Sequence, residues 1–287
     1  MRKLASLFYQ WAKVLLGSRA KQFAPVRAAQ RLILSYLKAT YAVVDGHPMH
    51  LDRRDSLFLS VNHGAYEPFE TELIKKEIKR NYTVLDLGAN IGYYSLIFAR
   101  LVGNRGKVFA FEPDESNAAL LEKNVEINGY RNVCIVKKAV SDKTEKNRLY
   151  LSKENFGDHR IYDSGDRRQS IEIETVRLDD LFKNRSPKID FIKMDIQGAE
   201  GGALLGMSEL LKTSKNLKIL SEFWPFGLKK FGTEPQEYLR RLEDFGFKLY
   251  EVKKLEKKLE PVNIPTLLNT YTLQKQNHTN LLCRKEN

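Results

Sequence analysis

Tyr82-Thr-Val-Leu-Asp86-Leu-Gly88-Ala-Asn90-Ile-Gly92-Tyr-Tyr-Ser95 is the stretch on which the fold turns. Thr83 to Leu87 is a short apolar run with β-branched residues, the pattern of a buried strand. The apolar spacing then becomes helical through Ile91, Tyr94, Ile97, Phe98 and Leu101. Strand, glycine-bearing turn and helix in that order put backbone N–H groups and a helix N-terminus at the carboxyl end of a strand. Doubly wound sheets hold nucleotides there.

Two details separate the turn from a dinucleotide fingerprint. Its pattern is Gly88-x-Asn90-x-Gly92 rather than G-x-G-x-x-G, and an acid, Asp86, lies inside the strand end. A carboxylate there repels a pyrophosphate but suits a ligand with a sulfonium and a protonated amine, as in S-adenosylmethionine. The next predicted strand, Lys107 to Phe111, runs into Glu112, where a carboxylate accepts hydrogen bonds from ribose hydroxyls. The glycines alone fit any tight βα turn; with Asp86 and Glu112 at neighbouring strand tips they predict a cofactor site.

Three segments, Asp86 to Ser95, Phe111-Glu112-Pro113 and Lys193-Met-Asp195-Ile-Gln-Gly198-Ala-Glu200, resemble the FkbM-type methyltransferases, a branch of the class I S-adenosylmethionine-dependent enzymes. The resemblance covers about residues 46–247. Ile196-Gln197 departs mildly from the Val/Ile-Glu pair usual in that family. The resemblance implies a methyl donor and most often a hydroxyl acceptor. It also implies a seven-stranded Rossmann-like α/β sheet with helices on both faces. Cofactor contacts are then expected at Asp86, Gly88, Ala89, Asn90, Gly92, Glu112, Pro113 and Asp195. Ser141 and Asp142, after the third strand, are placed to reach an adenine amine, though an Asx or Ser turn explains them equally. Tyr66 and Glu67 match a family segment that lies near the cofactor.

The remainder of the chain fits an αβ series with one interruption. A hairpin is expected from Tyr41 to Leu51 around Asp45-Gly46, flanked by His47 and His50 as turn or surface residues. Helices are predicted over 67–79, 91–101, 116–128, from 198 past Leu211, and over 235–245. Strands are predicted over 133–138, 189–194, 217–223 and 248–252, with a closing pair near 271–274 and 280–284. The Lys/Glu-rich run 253–260 reads as a solvated turn or face. Residues 147–177 break the rhythm: two alternating strands flank a loop, 153–169, that carries Gly157-Asp158-His159-Arg160 and is placed to cover an active site.

Length and charge set the outer limits. The 287 residues suffice for one core plus an appendage, and 42% hydrophobic with 29% charged residues is a globular balance. Cys134 and Cys283 are expected as buried free thiols in a reducing, cytoplasmic setting. No apolar run reaches about 18 residues, the length of a membrane span. Of the net charge of +12, residues 1–54 contribute ten Lys/Arg against two Asp. Residues 2–16 form an amphipathic pattern with Trp11 and a basic polar side. Residues 1–40 are therefore expected as a basic helical extension to a catalytic domain over 41–287. The extension either packs on that domain or touches anionic membrane at the inner surface.

Displacement at a sulfonium needs alignment, exclusion of water and, for a hydroxyl acceptor, a base. The candidate catalytic residues are Asp195, His159 and Glu222, with Asp195 expected nearest the methyl group; Arg160 and Glu222 are candidate substrate contacts. Asp195 and Glu222 sharing a divalent cation is a weaker alternative, and no metal is assigned. The expected activity is O-methylation of a sugar, glycan or glycolipid hydroxyl. Methylation of RNA or a protein side chain and a non-catalytic adenosyl-binding module are the alternatives. No aromatic-interleaved basic platform signals RNA, and no Asn-Pro-Pro-Tyr-like segment signals base N-methylation.

Overall fold

The structure, a computed structural model, describes residues 41–51, 66–152, 157–163, 165–184 and 187–285. The basic extension over 1–40, residues 62–65 and part of the 153–169 loop lie outside the described residues. The chain divides into two compact units, Met1–Tyr66 and Glu67–Asn287.

In the first unit, β1 (Tyr41–Val44) and β2 (His47–His50) pair antiparallel. Asp45 and Gly46 both have positive φ, 48° and 80°, as a two-residue primed turn requires. His47 and His50 are strand residues rather than turn residues. His47 is buried, and the His50 ring meets Tyr41 edge-on with centroids 5.6 Å apart.

The second unit holds the remaining elements. They are α1 (Pro68–Glu77), β3 (Thr83–Leu87), α2 (Tyr93–Val102), β4 (Lys107–Phe111), α3 (Glu115–Ile127), β5 (Val133–Val136), β6 (Ala139–Val140), β7 (Lys146–Leu151) and β8 (Gln169–Val176). Then come α4 (Leu178–Phe182), β9 (Phe191–Met194), α5 (Glu200–Gly206), α6 (Ser208–Thr213), β10 (Lys218–Phe223), α7 (Pro225–Phe231), α8 (Pro235–Asp244), β11 (Phe247–Lys253), β12 (Lys258–Pro261), α9 (Ile264–Thr270) and β13 (Thr279–Lys285). The main sheet runs β12-β11-β13-β10-β9-β3-β4-β5. Strands β5, β4, β3, β9 and β10 are parallel, and β13 enters antiparallel between β10 and β11.

This is the expected Rossmann-like α/β sheet, with eight strands rather than seven. Apart from Asp86 and Lys193, the buried positions of the central strands β3 and β9 are apolar, as in sheets that helices cover on both faces. Val84, Leu85, Leu87, Phe191, Ile192 and Met194 are all fully buried. Helix α3 starts at an Asp114 cap whose side chain accepts from the Asn117 N–H at 2.9 Å, and Gly129, at φ 68°, stands just beyond its end.

Several expectations are corrected. The run after residue 253 is not only a turn: Lys258–Pro261 pairs with β11 as an exposed, charged edge strand, a composition that discourages edge-to-edge association. Residues 271–274 form no strand. Asn263 caps the preceding α9 by accepting from the Thr266 N–H at 3.0 Å, with Pro265 in the first turn. The helix after Gly198 breaks at Met207, whose φ of −127° and ψ of 23° leave the helical range; Gly206 beside it packs where a Cβ would lie 2.0 Å from the Ser141 carbonyl oxygen. The third strand stops at Val136, and Ala139–Val140 instead pairs parallel with β8 in a small sheet, β6-β8-β7. Helix α7 was not anticipated.

Only one cysteine is buried. Cys283 on β13 lies in the main core, and burial pushes its thiol well above the usual range. Cys134 is exposed because β5 is an edge strand. A thiol reagent applied to the native protein should therefore modify one cysteine, Cys134, at once. Cys283 should react only after denaturation, as read by mass spectrometry of the labelled peptides.

Candidate active site

The site forms where β3, β4, β9 and β10 end. After Leu87 the chain turns through Gly88, Asn90 and Gly92, all at positive φ (80°, 49° and 98°). Gly88 must lack a side chain, since a Cβ would sit 2.0 Å from the Asp195 carbonyl oxygen. At Gly92 a Cβ would meet Leu121 of α3 at 2.5 Å, so this glycine serves helix packing. The Gly88 and Ala89 N–H groups donate to the Phe111 carbonyl at 3.1 and 2.9 Å, and Asp195 N–H to Leu87 O at 3.1 Å. The three strand tips are thus bolted to one another.

A cleft opens beside this turn, at the strand ends where α/β sheets hold small molecules. Gly88, Asn90, Glu112, Pro113, Asn117 and Asp195 line it on the sheet side. Leu149, Gly157, His159 and Ile161 of the β7–β8 insertion form another wall, so the insertion does cover the site. Ser141 and Asp142 are not among the lining residues. Ser141 is buried and donates to Asp142 at 3.0 Å, while Lys138, Ala139 and Val140 face the cleft in their place.

Glu112 is buried and accepts from the Asn90 and Asp114 N–H groups at 2.8 and 2.9 Å. Burial nonetheless pushes its carboxyl up to about 7. Asp86 is not in the lining either. It lies beneath the turn, 1% exposed, one oxygen accepting from Ser95 Oγ at 2.6 Å and the other, Oδ1, without a hydrogen-bond partner. Burial holds Asp86 above the usual carboxylate range, against the pull of Lys193.

Lys193 was quoted in the sequence motif without a role, and the structure makes it central. It is the register partner of Asp86 across β3 and β9. Its Nζ lies 3.4 Å from Asp195 Oδ2 and 4.9 Å from the Tyr94 ring centroid. Burial alone would lower this ammonium; Asp195, Asp86 and Glu67 more than offset that and hold it above the usual lysine value. Glu67, a family-derived candidate, accepts from Tyr94 Oη at 2.8 Å. Gln197, at φ 56°, donates to Asp195 Oδ1 at 2.8 Å and reaches Glu222 Oε2 at 3.4 Å. Only tertiary pairing reveals these contacts.

Three candidates take roles other than those expected. Glu222 is pushed well above the usual range by burial and by Asp195 and Glu200, which favours its neutral, proton-donating form over a base. His159 Nδ1 accepts from the Ser152 N–H at 3.0 Å, so this nitrogen is engaged within the insertion rather than presented to an acceptor. Arg160 is buried, pairs with both oxygens of Asp158 at 2.9 and 3.1 Å, and stacks 4.8 Å from the Trp224 ring. Its charge is matched within the insertion, so it clamps that wall rather than presenting a free cation. Among the described residues no group of three or more His, Cys, Asp or Glu is disposed to hold a metal.

The residues present fit an adenosyl sulfonium ligand. Glu112 and Asp195 line the cleft at adjacent strand tips with Asp86 buried beneath the turn, and Asn90, also in the lining, has a buried Oδ1 without a hydrogen-bond partner.

Two outcomes follow. Lys193→Met should destabilise the fold by about 3–5 kcal/mol by stranding buried carboxylate charge, with Lys193→Arg recovering part of the loss in thermal melts. For Glu112, the folded state near pH 6 retains a proton that the unfolded chain, at 4.5, has released. Stability should therefore fall by up to about 3 kcal/mol as pH rises from 4.5 to 7, while S-adenosylhomocysteine affinity should rise through pH 7. Glu112→Gln should flatten both dependences.

The profile of the Methyltransferase FkbM domain matches residues 86–249, more than half of the chain. The 2-O-methyltransferase NoeI of Sinorhizobium fredii is 30% identical over 154 residues, covering 48% of this chain and 62% of that enzyme. A protein-L-isoaspartate O-methyltransferase of Methanosarcina mazei is 33% identical over 60 residues, covering 21% of this chain and 25% of the relative. The chain thus matches less than two thirds of either relative. Among solved structures, an S-adenosylmethionine-dependent methyltransferase from Aquifex aeolicus superposes with TM-score 0.41 at 19% identity, covering 77% of this chain and 92% of the other. With the strand–turn–helix site, the paired acids and the family profile in agreement, this chain belongs to the FkbM methyltransferase family and carries its S-adenosylmethionine-dependent methyltransferase domain.

Proposed function

We propose that this protein transfers a methyl group to a hydroxyl on a sugar, glycan or glycolipid. The observation that carries the reading is Asp195. Its side chain stands at the tip of β9 in the cleft, one-third exposed, with Oδ2 held by Lys193 and Oδ1 by Gln197. A carboxylate whose two oxygens are fixed this way is aimed, and an aimed carboxylate can orient an alcohol and accept its proton. The name of the NoeI relative, a 2-O-methyltransferase, supports an oxygen acceptor.

S-adenosylmethionine, when bound, supplies a methyl group already activated on a sulfonium. The chain's own work is placement. Gly88, Asn90, Glu112 and Pro113 line the cofactor side, with the Glu112 carboxylate disposed toward ribose hydroxyls. Asp195 faces the acceptor. Glu222 in its neutral form offers a donor to a neighbouring oxygen of the acceptor, which suits a polyhydroxyl compound. The insertion wall around Leu149 and Ile161 excludes water from the reaction. A contact of the basic extension with anionic membrane accords with a glycolipid acceptor.

Asp195→Asn should keep S-adenosylhomocysteine affinity within about threefold while lowering kcat by about 10²–10⁴-fold; unchanged turnover removes Asp195 from the chemistry. Label from tritiated S-adenosylmethionine, chased into fractionated extracts, should enter carbohydrate or glycolipid as an alkali-stable ether. Label recovered in RNA or as a protein methyl ester would reject the acceptor assignment.

A further inference from the structure

The opposite edge of the sheet, where the parallel strands begin, has the reverse electrostatic character. The described residues of the loops entering β3, β4, β5, β9 and β10 include Lys79, Arg80, Arg105, Arg131, Lys188 and Lys215, all exposed. Asp190 is the only acid among them, and it is already occupied: buried, it accepts from the Thr83 N–H at 3.0 Å and pairs with Lys188 at 2.7 Å. The carboxyl edge, by contrast, carries Asp86, Glu112, Asp195 and Glu222.

At one point this basic edge is concave. Arg80, Asn81, Arg100, Asn104, Arg105 and Tyr130 line a second pocket, with no carboxylate in its wall. Three arginines from three segments line it: Arg80 from the loop before β3, Arg100 from the last turn of α2, and Arg105 from the turn before β4. The ordinary explanation is that they neutralise the carbonyls at the α2 C-terminus. Two of those carbonyls and the next one, of Gly103, are instead taken by neutral amides. Asn132 Nδ2 donates to Ala99 O at 2.9 Å and Gly103 O at 3.0 Å, and the Asn81 N–H to Val102 O at 2.8 Å. Arg80 and Arg105 have no ion-pair partner among the described residues. Planar guanidinium groups gathered without a carboxylate match a tetrahedral oxyanion.

We propose that this amino-edge pocket is a second binding site, for the phosphate group of a phosphomonoester, held by Arg80 and Arg105 with Arg100 and the Tyr130 hydroxyl beside them. The site is separate from the methyl-transfer cleft and does not depend on what that cleft methylates. Two sources present the same chemistry, an anionic lipid headgroup and a soluble phosphorylated metabolite. Nucleic acid fits less well, because Tyr130 is the one aromatic ring in the pocket wall and single-stranded binders stack successive bases.

The test uses the full chain and Arg80→Gln/Arg105→Gln, which alters two exposed side chains. Binding is measured to glycerol 3-phosphate by calorimetry, and to phosphatidylcholine vesicles with and without phosphatidic acid by co-sedimentation. At least one phosphate probe should bind the wild type and bind the double variant at least tenfold more weakly, with melting temperature and S-adenosylhomocysteine affinity unchanged. Response to vesicles alone assigns a lipid headgroup; response to glycerol 3-phosphate assigns a soluble phosphate. Equal binding by both proteins, no binding of either probe, or binding confined to added RNA overturns the proposal.

Discussion

One buried ammonium makes the active edge of this sheet possible. Parallel strands β3, β4, β9 and β10 deliver Asp86, Glu112, Asp195 and Glu222 to neighbouring tips, and like charges so close and so buried oppose folding. Lys193 lies inside that group, opposite Asp86 in register and 3.4 Å from Asp195, with Tyr94 over its other side. Where the lysine's field is shared, burial still wins and the carboxyls shift upward, as at Asp86 and Glu222. The edge is therefore a graded set of acids rather than a uniform negative patch, and Asp195 is the member both held at two oxygens and open to the cleft.

Backbone geometry fixes the same edge from below. Gly88 lies against the Asp195 carbonyl, and Gly198, at φ 100°, lies where a Cβ would fall 2.5 Å from Gly227. These two absences of side chain draw the β3 turn, the β9 turn and α7 together. The insertion closes the remaining side through the Tyr150–Arg160 bridge and the Arg160 stack on Trp224, which ties a peripheral hairpin to the end of β10. The same sheet thus has an acidic, enclosed carboxyl edge and a basic, open amino edge.

Much of this was legible in the sequence because it is local. Thr83–Leu87, Lys107–Phe111 and the glycine pattern between them announce strand, turn and strand through composition and period alone, and the three motif segments identify the family. Boundaries slipped where a tertiary contact decided them: the switch of Ala139–Val140 to another sheet comes from pairing with β8. Cys134 read as buried because its neighbours are apolar; only strand order shows that β5 is an edge.

The site divides along the same line. Sequence by itself determined which acids stand at strand ends, since a strand followed by a turn places its last residue there whatever the rest of the fold does. It could not assign Lys193, Gln197 or Glu67 to Asp195 and its neighbours, nor show that Arg160 is spent on Asp158 and that His159 Nδ1 is taken by the Ser152 N–H. Those facts depend on which strands lie side by side and on how far burial moves a proton, and both are settled by contacts between residues remote in the chain.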